Sequence, residues 1–177
     1  MVAIAKAFEC FVGAWGYINA TLTNTTTGEL IPEWHSIYPS GISVYAPSGY
    51  LSFIITANDT TQPEKRPTTV SLPAQPDDPV EVWATVAQNS LAAGGPFEVL
   101  NATDGNGNAT YGNSTDGPFG TARSEFETAT LPAWVGFSLD NEFAFHDDCN
   151  THVLYSRFSA DTLQTVWFYR KPDNSPS

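Results

Sequence analysis

The chain has 177 residues, enough for one domain with a sizeable hydrophobic core and too few for two. Its formal net charge is −12 with only seven Lys and Arg residues, which disfavours nucleic acid and anionic membrane surfaces as partners, since both need clustered cations. No stretch approaches the roughly 18 apolar residues of a transmembrane helix, so we expect no membrane partner.

The first segment, MVAIAKAFECF (residues 1–11), is interrupted by Glu9 and lacks the long apolar region of a signal peptide. Six N-glycosylation sequons favour passage through the secretory pathway instead. They begin at Asn19, Asn24, Asn58, Asn101, Asn108 and Asn113. Turn-rich β proteins also place Asn beside Thr, so a secreted glycoprotein and a cytoplasmic protein both stay open.

The two cysteines, Cys10 and Cys149, are far apart and fit no zinc or redox motif. They could form a disulfide that joins the N-terminus to a late loop. Two buried thiols are the alternative, and the sequence leaves both open.

Short β-rich runs alternate with Gly and Pro residues along the chain. The predicted strands lie near residues 12–22, 42–46, 49–57, 96–101, 119–131, 141–146, 152–159 and 163–171. A Pro-Ser-Gly turn (residues 47–49) joins the second strand to the third. The last strand carries apolar residues at both alternating positions, which predicts that it is covered on both faces.

One helix is predicted between these strands. Asp78 would be its N-cap, with Pro79 in the first turn and Glu81 at the third position. Gly94-Gly95-Pro96 would end it. Many short strands with one helix predict an all-β fold, a single antiparallel barrel over residues 1–177.

Two segments have the composition of long connections. Residues 59–79 are rich in Pro and Thr and predict a surface connection or a lid. Residues 101–117 are rich in Gly and Asn and predict a mobile hairpin loop. Residues 172–177 are expected to form a flexible tail.

Gly13-x-Trp15, at the head of the first predicted strand, resembles the G-x-W signature of the lipocalin superfamily. In that superfamily the Trp closes one end of an eight-stranded barrel, and a basic residue of the last strand packs over its ring. The resemblance assigns that partner to Arg170 or, alternatively, to Lys171. Further blocks, in the same order, resemble the bacterial and fungal lipocalin-like domain family: GISVY (41–45), GYLS (49–52), GPFEV (95–99) and LPAWVG (131–136). The resemblance implies an eight-stranded barrel with one short helix and long loops at its open end.

The sequence departs from that family at two places. Family members often carry a His on the strand before P-x-W-x-G and a Gln-x-Arg pair after it. This chain has Arg123 and Glu125 on that strand and FSLDNEF after Gly136.

Aromatic residues exceed the number that closing a barrel requires, and an eight-stranded barrel can hold one small ligand. An aromatic-lined cavity suits a flat or polyunsaturated apolar molecule. The candidate lining rings are Trp34, Tyr38, Tyr45, Tyr50, Phe53, Trp83, Trp134, Phe143, Phe145, Tyr155, Trp167 and Tyr169. For each ring, packing in the core or in an outer apolar belt is the alternative.

The segment HDDCNTH (residues 146–152) combines two imidazoles with two carboxylates. Such a cluster could hold a metal ion, supply an acid/base pair or form an ordinary hairpin turn. We predict the turn and no metal site. His35, beside Trp34 in the first long loop, is either a proton donor or a surface residue.

Arg123 and Arg157 fall inside predicted strands. An inward-facing Arg would bind a carbonyl or anionic oxygen of a ligand. An outward-facing Arg would pair with Glu125 or Glu142 and serve the structure alone.

The chain has no GxSxG elbow, no GxGxxG opening a helix, no P-loop and no HExxH motif. The resemblance then implies a cofactor-free cyclase or isomerase of natural-product biosynthesis, running a pericyclic (Diels–Alder type) or ring-closing reaction. The barrel would fold a polyunsaturated substrate into a reactive shape, and His35, Tyr50 and Arg157 would polarise a carbonyl. Arg123 would join the aromatic residues in binding the substrate.

Two other functions remain open at this stage. One is a non-catalytic carrier that sequesters a small apolar ligand in the same cavity. The other is a glycosylated surface module whose barrel is filled. The sequence also leaves the oligomeric state open, with a homodimer as one alternative.

Overall fold

The chain begins with a helix and continues mainly as antiparallel strands. A computed structural model of the protein describes residues 2–31, 38–56, 76–105, 107–108 and 114–173. The elements are α1 (Val2–Phe11), β1 (Gly13–Asn24), β2 (Leu30–Ile31), β3 (Ser40–Ala46), β4 (Tyr50–Thr56), α2 (Val80–Asn89), β5 (Ser90–Thr103), β6 (Gly107–Asn108), β7 (Ser114–Thr115), β8 (Phe119–Glu125), β9 (Thr128–Ala129), a 3₁₀ turn (Pro132–Trp134), β10 (Ser138–His146), β11 (Thr151–Ser159) and β12 (Thr162–Arg170).

Eight of these strands form a closed antiparallel barrel. Their order around the barrel is β1-β3-β4-β5-β8-β10-β11-β12, and β12 pairs with β1 to close it. In that closing pair Trp15 lies opposite Arg170. Closure leaves none of the eight strands with an unpaired edge. The predicted all-β barrel is confirmed.

Side chains alternate between the inside and the outside of the barrel, as the pleat of a strand requires. On β12, Val166 and Phe168 are buried inside, whereas Tyr169 is exposed outside. Leu163 and Trp167 face outward and pack on a small outer cluster. The prediction that this strand is covered on both faces is therefore right for only part of its length.

The N-terminal segment forms a helix, α1, that the sequence analysis did not predict. Ala7, Cys10 and Phe11 are spaced so that they share one helical face, and all three are buried. This face covers the end of the barrel at which β1 begins, which we call the closed end; the opposite end is the mouth. The connection between β5 and β8 leaves from the closed end, where Asp104 pairs with Lys6 of α1 at 2.7 Å. Among the described residues, no helix has the length and apolar character needed to cross a membrane.

A disulfide between Cys10 and Cys149 fixes α1 to the turn between β10 and β11. This bond decides between the two alternatives that the sequence left open and excludes two free thiols. The bond links positions 139 residues apart, so it restricts the unfolded chain over most of its length.

We expect the double variant Cys10→Ser/Cys149→Ser to unfold with a free energy lower by about 2–5 kcal/mol. Urea denaturation without reductant measures this loss. Dithiothreitol should lower the midpoint of the wild type and leave the double variant unchanged. Equal midpoints for the two proteins under oxidising conditions would contradict the expectation.

Gly13 begins β1 with a φ of +130°, a conformation that side chains rarely adopt. A Cβ at this position would also lie 3.0 Å from Nη1 of Arg170. The glycine two residues before Trp15 is therefore required by the backbone turn into β1 and by the close approach of Arg170.

Helix α2 is shorter than predicted. It spans Val80–Asn89, and its N-cap residue is Pro79, which makes no side-chain capping hydrogen bond, so the predicted N-cap position at Asp78 is wrong. The chain enters β5 at Ser90, before the glycines expected to end the helix. Gly95 instead lies inside β5, where a Cβ would come within 2.0 Å of the Glu125 carbonyl oxygen. These glycines serve a close strand contact.

Several predicted connections fall on residues that the structure does not describe. Of the 59–79 segment only residues 76–79 are described, and residues 174–177 of the predicted tail lie outside as well. Within 101–117, β5 continues to Thr103 and β6 pairs with β7 as a short hairpin.

Candidate functional site

The barrel contains a cavity of about 450 Å³ between the closed end and the mouth. Apolar side chains form most of its wall: Leu22, Leu51, Phe53, Ile55, Leu91, Phe126, Leu131, Trp134, Leu139, Leu154, Val166 and Phe168. No Asp, Glu, Lys, Arg or His is among the described residues that line it. Burying an ion in such a site without a partner is costly, so the cavity suits a neutral, mainly apolar molecule.

Three polar side chains lie side by side on the inner faces of β10, β11 and β12. Asn141 is the cross-strand neighbour of Ser156, and Ser156 is the neighbour of Gln164. All three line the cavity. The Ser156 hydroxyl donates a hydrogen bond to Asn141 Oδ1 at 2.5 Å. We call these three residues the polar row.

Tyr17, Ser43 and Tyr45 line the cavity nearer the closed end. Tyr17 Oη and Ser43 Oγ lie 3.1 Å apart and share a hydrogen bond. Burial raises the pKa of Tyr17 above its ordinary value, although the bond to Ser43 opposes this. Burial, followed by the neighbouring Tyr17, also raises the pKa of Tyr45. Both phenols therefore stay neutral hydrogen-bond donors near pH 7.

At the mouth, the 3₁₀ turn brings Trp134 to the cavity. Its ring stacks on Phe126 with centroids 5.3 Å apart and 18° between the planes. The Gly136 amide donates to the Phe126 carbonyl at 2.8 Å, which fixes this loop to the end of β8. Trp134 is thus placed to report ligand entry by its fluorescence.

The closed end is sealed around Trp15, which is fully buried. The indole Nε1 donates to the Phe11 carbonyl at 2.7 Å. The guanidinium carbon of Arg170 lies 4.4 Å from the centroid of the Trp15 ring, the contact that the G-x-W resemblance implied. Lys171, the alternative partner, packs over Tyr169 instead.

Arg170 also joins three segments of backbone. Its guanidinium donates to the carbonyl oxygens of Cys10, Val12 and Cys149 at 2.5, 2.9 and 2.9 Å. One side chain therefore ties α1, the start of β1 and the β10–β11 turn to the last strand.

His152 is buried in the same seal, and neither ring nitrogen has a hydrogen-bond partner among the residues that the structure describes. The imidazole stacks on Phe168 at 4.5 Å with 8° between the planes and meets Trp15 edge-on at 4.3 Å. Burial lowers the pKa of His152 well below its ordinary value, and the positive charge of Arg170 adds to this effect. His152 is therefore a neutral packing ring at physiological pH.

We expect this histidine to make stability pH-dependent below about pH 6.5, the ordinary pKa of the group. The unfolded chain binds a proton there and the folded chain does not, so stability is lost as the pH falls, by at most roughly 1.4 kcal/mol per pH unit. Urea midpoints between pH 7.5 and 5 measure the slope. His152→Phe should flatten it, whereas His146→Gln, on the outer face beside Trp167, should keep it. Equal slopes for all three proteins would refute this origin.

Two of the three predicted catalytic residues lie outside the cavity. Tyr50 is 49% exposed on the outer face of β4, because the inward positions of that strand are Leu51, Phe53 and Ile55. Arg157 is exposed, and its Nη1 donates to the Ala160 carbonyl at 2.9 Å. Neither side chain lines the cavity, and the role of both in polarising a bound carbonyl stays a prediction. His35 lies outside the described residues.

The predicted lining rings divide into three groups. Tyr45, Phe53 and Trp134 line the cavity. Phe143 and Phe145 face inward but are packed around Phe11 in the closed end. The remaining described rings lie outside the barrel interior: Tyr155 and Trp167 in the outer cluster, and Tyr38, Tyr50, Trp83 and Tyr169 exposed to solvent. Trp34 lies outside the described residues.

Arg123 faces outward and does not line the cavity, and its role in binding a substrate stays a prediction. Its Nε and Nη2 donate to the two carboxylate oxygens of Asp140 at 2.7 and 2.9 Å. The predicted partners were Glu125 and Glu142. These hydrogen bonds lower the pKa of Asp140 below its ordinary value.

The 146–152 segment is a hairpin turn, as predicted. Asp147, Asp148 and Cys149 all have a positive φ, between 53° and 62°. His146 faces outward and His152 inward, so the two imidazoles do not share a site. Among the described residues, no group of three His, Cys, Asp or Glu side chains could hold a metal ion.

The predicted glycosylation sites are placed as follows. Asn19 lies on β1, Asn24 ends β1, and Asn101 lies on β5. The side-chain oxygen of Asn24 accepts bonds from the Thr26 and Thr27 amides. Asn108 is described only by its backbone in β6, and Asn58 and Asn113 lie outside the described residues.

Sequence reasoning missed the polar row and Tyr17. A signal existed on β12, because Gln164 alternates with Val166, Phe168 and Arg170 on one face of the strand. That face is the inner one. Asn141 and Ser156 carried no comparable signal, since their inward orientation depends on the strand register.

Comparison with known proteins adds little to this geometry. No protein-family model matches the chain, and a comparison with curated proteins finds no match. Among solved structures, a redesigned β-barrel is similar over 94% of this chain and 96% of its own, with 12% identity and a TM-score of 0.43. A similarity at that level carries no conclusion about function.

Proposed function

We propose that this protein binds a neutral, mainly apolar small molecule inside the barrel. The observation that carries the proposal is the cavity of about 450 Å³, whose described lining contains no charged side chain. Ligand sites in proteins have volumes of about 300–1,000 Å³ and combine apolar walls with a few polar groups. The polar row and the tyrosine hydroxyls are such groups.

A lipocalin-like assignment fits this function. The Gly13-x-Trp15 signature, the Arg170 contact over the indole and the sealed end agree with what that resemblance implies. Barrels of that kind bind small apolar ligands from the open end.

Ring closure is the second candidate function, and one observation favours it. The cavity is lined by neutral hydrogen-bonding side chains, among them Asn141 and Tyr45, within a largely apolar wall. Confinement would hold a polyunsaturated substrate in a reactive conformation. A fixed donor would stabilise charge that develops on a conjugated carbonyl in the transition state. The reaction would only rearrange bonds within the substrate, so it would need no co-reactant.

Binding is tested by filling the cavity. Leu91 lines it near the mouth, whereas Leu100 lies on the same strand with its side chain exposed. We expect Leu91→Trp to weaken binding of the neutral dye N-phenyl-1-naphthylamine at least tenfold, because the larger ring occupies ligand volume. Leu100→Trp should bind like the wild type. Titration of dye fluorescence measures both, and equal affinity in the two variants would place the dye elsewhere.

Catalysis and transport are separated by the fate of the ligand. Liquid chromatography with mass spectrometry follows polyunsaturated carbonyl compounds from an extract of the producing organism during incubation with the protein. A new peak of unchanged mass, absent with Leu91→Trp, would establish an isomerase. A compound that co-purifies and elutes unaltered would establish a carrier.

A further inference from the structure

We infer that the polar row binds the carbonyl oxygen of the ligand and that Asn141 donates the hydrogen bond. This inference rests on the proposed function and names the class of ligand: a neutral carbonyl compound, ketone or amide, with an apolar body. Asn141 is then the residue of the cavity that determines which ligands bind.

The hydrogen bond from Ser156 sets the orientation of the Asn141 amide. Because Oδ1 accepts from the Ser156 hydroxyl, the amide is turned so that Nδ2 is left to donate. Nδ2 has no acceptor among the described residues, although Asn141 is only 7% exposed and lines the cavity. Among the described residues the fully buried side-chain atoms without a partner are the two ring nitrogens of His152, so Nδ2 of Asn141 is open to the cavity, where a ligand oxygen can accept its hydrogen bond.

The position of Ser156 keeps the Asn141 amide in this orientation. Ser156 is itself buried, lies between Asn141 and Gln164 on the central strand of the row, and has its hydroxyl proton committed to Asn141. Gln164 has no hydrogen-bond partner among the described residues either. The row therefore offers amide N–H groups along one side of the cavity.

The rest of the cavity restricts the ligand further. The wall formed by β4 and β5 presents Leu51, Phe53, Ile55 and Leu91. A ligand whose oxygen lies at the polar row would place its apolar body against this wall. A carboxylate is disfavoured, because no described lining residue is a cation and desolvating an unpaired anion is costly.

The test uses two flat probes that differ at one position, 9-fluorenone with its carbonyl and fluorene with a methylene. We expect wild-type protein to bind fluorenone about tenfold more tightly, a difference of about 1.4 kcal/mol. Asn141→Leu should bind both alike while keeping its affinity for fluorene. Displacement of N-phenyl-1-naphthylamine gives the affinities. The carbonyl stretch of bound fluorenone should lie at lower wavenumber in wild type than in Asn141→Leu.

Two further variants complete the design. Ser156→Ala removes the hydrogen bond that orients the Asn141 amide and should reduce the preference for fluorenone over fluorene. It replaces Asn141→Leu in the test if that variant fails to fold. Tyr45→Phe tests the competing assignment, in which the Tyr45 side chain rather than Asn141 binds the carbonyl.

The outcomes separate the two proposals. If the dye and both probes fail to bind wild type, the proposed function falls. If both probes bind equally well and Asn141→Leu changes neither the ratio nor the infrared band, binding stands and the carbonyl subsite is wrong. Loss of preference in Tyr45→Phe alone would also overturn it and assign the carbonyl to the closed end.

Discussion

Replacing Phe11 by alanine is expected to lower the free energy of unfolding by about 3–5 kcal/mol. Phe11 is fully buried and joins α1 to the barrel interior. Its ring contacts the rings of Tyr45, Phe97, Phe143, Phe145 and His152, with centroids 4.7–5.5 Å apart. Four of these pairs are edge-to-face and that with Tyr45 is tilted, and edge-to-face pairs stabilise the fold beyond the area that the ring buries. A single side chain at the end of α1 therefore organises the closed end.

Urea denaturation monitored by circular dichroism measures the loss. Phe137→Ala is the matched control, since Phe137 is 43% exposed and the same atoms are removed. We expect a change of about 0.5 kcal/mol or less for the control. Similar losses in the two variants would mean that α1 does not seal the barrel.

Phe11 also shows where sequence reasoning stopped. The helical face of Ala7, Cys10 and Phe11 is visible in the sequence, but a ten-residue helix is marginal alone and is stabilised here by packing. Only the barrel end supplies the surface that buries it. The packing of α1 on the barrel end joins residues that are far apart in the chain, so no local sequence pattern predicts it.

The barrel itself was predictable because its signals are local. Alternation, turn residues and the Gly13-x-Trp15 pair depend on neighbours in the chain. The eight barrel strands were placed within a few residues, except that the predicted 119–131 strand ends at Glu125 and that the start of β5 was wrong. The predicted start of β5 was wrong because Gly94 and Gly95 suit both the end of a helix and a close contact between strands. The structure has the second.

The candidate site was predicted less well, for a physical reason. A one-residue shift in register turns every side chain of a strand to the other face. Tyr50 and Arg157 have the right chemistry but occupy outward positions. Asn141 and Ser156 occupy inward ones and meet across two strands. The residue type shows which chemistry a side chain can supply. Whether that side chain points into the barrel or out of it depends on the strand register around the whole closed barrel.

Arg170 gives the second large expected effect. Arg170→Met should lower the free energy of unfolding by about 3–5 kcal/mol, because it removes hydrogen bonds from a charged group to three carbonyls and a cation–π contact. Methionine fills similar volume, so most of the loss is polar. The free energy of unfolding of Arg170→Lys should lie between those of wild type and Arg170→Met. An ammonium group keeps the charge, but unlike the planar guanidinium it cannot reach all three carbonyls at once.

Arg123→Met is the matched control, because Arg123 also lies on a barrel strand and pairs with a carboxylate, but at the surface. Solvent and salt screen such a pair, so we expect no measurable change. Urea midpoints at low and high sodium chloride extend the comparison. Salt should leave the loss in Arg170→Met almost unaltered, since its partners are backbone dipoles packed against Trp15. A loss in Arg170→Met that disappears at high salt would show that Arg170 acts as a surface charge and that another contact holds the closed end.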